Sequence, residues 1–150
     1  MTKDLQRNKI IGKYKLYKLK VNRMSSNTND LDKKTYISEL KEEVKKFCEN
    51  RDWDQYHSPK DLAVAVITES SELLEIFRFK SDSECEEMLR DDLKRQNIAD
   101  ELSDVLYFLL RFAQRYNFDL TSEFLRKMRS NEEKYPVNKF KGSNKKYSEG

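Results

Sequence analysis

Two acidic pairs stand where acids are least expected. Glu69 and Glu72 lie inside the apolar run VITESSELLEIFRF, residues 66–79, and Glu101 and Asp104 lie inside NIADELSDVLYFLLRFA, residues 97–113. Residues three and four apart share a helix face, so a helical projection sets Glu69 among Leu62, Val66, Leu73 and Ile76. The same projection sets Glu101 among Ile98, Val105, Phe108 and Phe112. Glu72 and Asp104 then stand about 60° to the same side of their partners. A buried, unpaired carboxylate normally takes up a proton, and four converging between two helices repel one another. A cation cluster answers both difficulties, because it brings opposite charge and takes oxygen ligands. An all-oxygen donor set suits Mg²⁺ or Mn²⁺, whereas di-iron bundles use Glu-x-x-His. The single histidine, His57, does not stand three residues after any glutamate. Mg²⁺ held by a few carboxylates leaves positions for water and phosphate oxygens, so the expected chemistry is on phosphate. The alternative is that the acids pair with Arg78, Lys80 or Arg111, or face water.

Positioning these acids requires long helices. From about residue 33, Ile37, Leu40, Val44 and Phe47 trace one helical face. A second helix starts at Ser58 as N-cap, with Pro59 at the first position and Asp61 at the third, and runs to about Arg78. The polar segment KSDSECEEMLRDDLKRQ reads as a loop with a short helix, and a third helix covers about Gln96 to Tyr116. A fourth carries Leu120, Phe124 and Met128 until Pro136 forbids continuation, and an extended tail follows. With only 3 Gly and 2 Pro in 150 residues and 38% charged residues, the fold class is all-α, in one domain.

Charge is unevenly distributed. Residues 1–29 hold eight Lys or Arg against one acid, leaving residues 30–150 with 22 Lys or Arg against 26 Asp or Glu. The division expected is a basic, disordered tail over 1–30 and a mildly acidic, metal-binding body over 31–150. No apolar segment reaches the roughly 20 residues that span a bilayer, and the first residues lack a secretory apolar block. Cys48 and Cys85 lack Cys-x-x-Cys spacing and read as reduced thiols. A cytoplasmic protein with no membrane partner is expected.

The ordered set Glu69-x-x-Glu72 and Glu101-x-x-Asp104, 28 residues apart, resembles the MazG-like nucleotide pyrophosphohydrolases of the all-α NTP pyrophosphatase superfamily. RDWDQYH, N-x-x-KYP at 131–136 and G-x-x-x-KY at 142–147 extend the likeness to the dCTP pyrophosphatase branch, over about residues 35–147. The resemblance implies a four-helix core that assembles as a homo-oligomer, dimer or tetramer. It implies Mg²⁺-dependent hydrolysis of a nucleoside triphosphate, dCTP or a related pyrimidine nucleotide, to monophosphate and pyrophosphate. Glu69, Glu72, Glu101 and Asp104 map onto the metal ligands, and Glu72 is the residue expected to orient the attacking water. Trp53, His57 and Phe79 map to the base, and Asn131, Lys134, Tyr135, Lys146 and Tyr147 to the triphosphate. Phe79 stands where relatives often carry Trp, and Val44 where some carry His, which bears on base preference rather than on the reaction. The competing reading is a non-catalytic helical interaction module whose basic tail contacts nucleic acid. Loss of at least one of the four acids is expected of such a relative, and all four are present.

Overall fold

The computed structural model describes residues 31–149. The basic segment 1–30, and with it the expectation of a disordered tail, lies outside the described residues. From Ile37 onward the chain forms six α-helices: α1 Ile37–Glu49, α2 Pro59–Phe77, α3 Asp82–Met88, α4 Asp92–Arg115, α5 Leu120–Lys134 and α6 Val137–Phe140. Two single 3₁₀ turns, Trp53–Tyr56 and Tyr147–Glu149, complete the described elements, among which there is no strand.

Local chemistry sets most boundaries. Ser58 accepts the Asp61 backbone N–H at 3.2 Å, with Pro59 at the helix start. Ser81 and Glu84 make a reciprocal capping box that starts α3 inside the polar connecting segment. The Asp91 carboxylate accepts the N–H groups of Leu93 and Lys94, both at 3.0 Å, and so starts α4 four residues before the expected Gln96. Asp119 caps α5 through Ser122. Pro136 does end α5, but its extended backbone then serves as the N-cap of α6, so the tail is not wholly extended.

α2 and α4 share the largest interface, and α1 packs on α4. One buried cluster joins Val44 and Cys48 of α1 to Leu110 of α4, with Leu40, Tyr107 and Leu120 against it. Leu62 of α2 and Ile98 of α4 are also buried. The expected faces of α2 and α4 therefore do turn inward. The four expected long helices correspond to α1, α2, α4 and α5; the fully buried residues of these four lie on α1, α2 and α4, and α5 adds the half-buried Leu120 to the core.

Candidate metal centre and the adjoining turn

The central residues of α2 and α4 bring Glu69, Glu72 and Glu101 together, with one carboxylate oxygen from each lying within 4.8 Å of the others. Glu69 and Glu101 are half-buried and Glu72 is exposed, which makes a site closed on its inner side and open to solvent. Asp104, one turn beyond Glu101, is exposed and lies outside that cluster, although its charge is felt by Glu69. Partial burial, followed by the charges of Glu72, Asp104 and Glu101, raises Glu69 above the ordinary glutamate range. Glu101 Oε2 is buried without a hydrogen-bond partner. Two of the three cations named as alternative partners are engaged elsewhere: Arg78 pairs with Glu75 at 3.2 Å, and Arg111 with Asp54. Crowded hard oxygens, one of them buried and unsatisfied, are the donor set a divalent cation requires, so the residues present fit Mg²⁺ or Mn²⁺.

Further along α4, the 3₁₀ turn Trp53–Tyr56 folds over the helix. Arg111, 1% exposed, holds it from below. Its guanidinium donates to Asp54 Oδ1, to His57 Nδ1 at 3.0 Å and to Gln114 Oε1. Arg115 pairs with the other Asp54 oxygen at 3.1 Å, and the Tyr116 hydroxyl donates to the His57 carbonyl at 3.0 Å. The hydrogen bond from Arg111, with the two arginine charges, holds Asp54 below the usual carboxylate range against the opposing effect of burial. Burial, then Arg111 and Arg115, push His57 below the ordinary histidine range. The rings of Phe47 and Trp53 meet edge to face at 5.6 Å, Phe47 meets Tyr107 at 5.9 Å, and Trp53 meets His57 at 6.3 Å. Cys48 Sγ lies 3.1 Å from the Tyr107 hydroxyl beneath them. Sequence reasoning weighed Arg111 only as a partner of the acidic pairs and missed Asp54, Gln114, Arg115 and Tyr116. The available signal was an arginine inside LLRFA at helical spacing from inward-facing residues.

The other expected substrate contacts fall into separate places. Phe79 is 91% exposed in a left-handed backbone conformation just past the end of α2, with the Arg78 guanidinium 4.6 Å from its ring centre. Lys134, Tyr135 and Tyr147 gather at the end of α5: the Tyr135 ring meets Phe140 at 5.2 Å and Tyr147 at 5.9 Å, and Lys134 Nζ lies 5.4 Å from the Tyr147 ring. Asn131 is half-buried one turn earlier, with its carbonyl accepting the Tyr135 N–H at 2.8 Å, and Lys146 is exposed. Val44, at the position where a histidine was considered, is part of the buried core.

Comparison with known proteins agrees with this architecture. The MazG-like family matches residues 64–149, which include both acidic pairs and the whole C-terminal region, and the chain belongs to that family. It is similar to dCTP pyrophosphatase 1 of Rattus norvegicus, 39% identical over 103 residues, and to dCTP pyrophosphatase 1 of Homo sapiens, 38% identical over the same length. Each alignment covers 69% of this chain and 61% of the relative, so the chain spans less than two thirds of these relatives' length. Among solved structures, a pyrophosphatase from Archaeoglobus fulgidus DSM 4304 is 36% identical and superposes with a TM-score of 0.63, covering 68% of this chain and 94% of that one.

Proposed function

We propose that this chain is a Mg²⁺-dependent nucleoside triphosphate pyrophosphohydrolase acting on dCTP or a related pyrimidine nucleotide: NTP + H₂O → NMP + PPi. The observation that carries this reading is the convergence of Glu69, Glu72 and Glu101 around a buried, unpartnered carboxylate oxygen. Glu69, Glu72 and Glu101 would hold the metal, with Asp104 at the open edge. When bound, Mg²⁺ supplies positive charge that offsets the negative charge developing on the phosphates and the pyrophosphate leaving group. Glu72, the exposed member of the cluster, would orient the attacking water and take its proton. Trp53 would offer an aromatic face to the base, Phe79, past the opposite end of the 19-residue α2, would reach a base only on a second copy of the chain, and Asn131, Lys134, Tyr135, Lys146 and Tyr147 would offer polar and cationic groups to the phosphates. The names of the aligned relatives support the substrate class.

The working unit in this reading is a homo-oligomer. Val64, Ile67 and Leu74 of α2, Leu102, Leu106 and Leu109 of α4, and Phe124, Leu125 and Met128 of α5 are exposed at helical spacing. Apolar stripes of this extent ask for a covering surface, and a second copy of the chain is the proposed one. Two free thiols suit a cytoplasmic location, and no described helix is long and apolar enough to cross a membrane. The interaction-module alternative draws on residues 1–30, outside the described residues. Incubation with a panel of NTPs and dNTPs plus Mg²⁺, measuring pyrophosphate and orthophosphate separately, tests the assignment. Release of pyrophosphate with dCTP among the best substrates is expected, and release of orthophosphate alone or of nothing refutes it.

A further inference from the structure

The geometry points to Arg111 as a positioning residue that fixes the turn Trp53–Tyr56 and His57 as one rigid platform for the base of a nucleotide whose phosphates engage the carboxylates. The inference rests on the nucleotide reading of the site. Asp104 and Arg111 stand seven residues apart on one face of α4, about 10 Å along the helix axis. A nucleoside bridges a gap of that order between its phosphates and its base. The turn covers the Arg111 end of this face while Asp104 stays open, and the ring series Trp53, Phe47, Tyr107 leads back to one turn from Asp104.

Arg111 does what bulk alone cannot. Its planar fork serves three acceptors on two segments: Asp54 and His57 on the turn, and Gln114 on its own helix. Because His57 Nδ1 accepts from Arg111 Nε, the neutral ring carries its proton on Nε2, and a protonated ring would set an N–H against the guanidinium. The charged groups facing His57 are Asp54 of the turn, Asp61 of α2, and Arg111 and Arg115 of α4, and with partial burial the two arginines outweigh the acids. The platform therefore presents an exposed indole beside a ring of fixed tautomer.

The only tryptophan and the only histidine of the chain both lie in this unit, so each is its own reporter. Arg111→Met keeps a long apolar stem and leaves Asp54, itself half-exposed, with Arg115. Acrylamide quenching of Trp53 fluorescence is expected to rise about twofold, as for a turn released to solvent, and the ¹⁵N titration midpoint of His57 to move up toward the ordinary range. KM for the best nucleotide is expected to rise on the order of tenfold with kcat changed less than about threefold, the pattern of lost binding rather than lost chemistry. Arg111→Lys, which keeps charge without the fork, is expected to restore little of the KM. Wild-type quenching, His57 midpoint and KM in Arg111→Met overturn the proposal, as does a fall in kcat at constant KM. Should Arg111→Met not fold, Asp54→Asn reads the same three quantities, and their constancy overturns it equally. A wild-type chain that turns over no nucleotide ends the nucleotide reading, while quenching and the His57 titration still decide whether Arg111 orders the turn.

Discussion

Glu69 shows how a single residue links stability to activity. Its folded-state pKa is raised by burial and by three neighbouring carboxylates, so its charge opposes folding: stability is greatest below the unfolded value and declines as pH rises through the folded one. Glu69→Gln removes that charge while keeping shape. Pyrophosphate release is expected to fall on the order of 10² or more, while the melting temperature in metal-free buffer rises and its Mg²⁺-induced increase shrinks. Differential scanning calorimetry with and without Mg²⁺ checks this, and a Glu69→Gln protein with wild-type turnover contradicts the metal-site assignment. His57 has the opposite sign. Its folded pKa is depressed below 6.5, so its contribution is present above about pH 6.5 and is lost as pH falls through the window beneath. His57→Gln, which cannot charge, should flatten the dependence of urea midpoint on pH below about 6.5.

At the scale of elements, the parts written in local chemistry could be read directly. Ser58, Pro59 and Asp61 announce the start of α2, and the structure places them in those roles. Ser58→Ala should lower stability by about 1 kcal/mol in urea titrations, with kcat unaffected. The Ser81-x-x-Glu84 box and Asp91 were equally visible signals for α3 and the early start of α4, but the density of charge around them resembles a loop when read by composition. Arg111 was harder to assign. Helical periodicity says which face it occupies, not that a turn 57 residues earlier will return to Asp54 and cover it. The acidic pairs were readable because two helices repeat the same anomaly. That Glu69, Glu72 and Glu101 cluster more tightly with one another than with Asp104 depends on the packing of α2 on α4, which no spacing encodes.

For the whole molecule, one chain leaves its surface unfinished. No residue of α5 is fully buried, and Ile67 remains 67% exposed on the outer face of α2. Covering such stripes by a second copy predicts that Ile67→Glu or Leu106→Glu shifts the protein toward monomer in sedimentation equilibrium, whereas a wild-type monomer contradicts the oligomer proposal. The central claim, that the carboxylate cluster directs water to the α-phosphorus of a nucleoside triphosphate, is tested most directly by turnover of dCTP with Mg²⁺ in H₂¹⁸O, comparing wild type with Glu72→Gln by mass spectrometry of both products. The account predicts one ¹⁸O in the monophosphate, none in the pyrophosphate, and little of either product from Glu72→Gln. Label in the pyrophosphate or in orthophosphate, or equal turnover by both proteins, would contradict it.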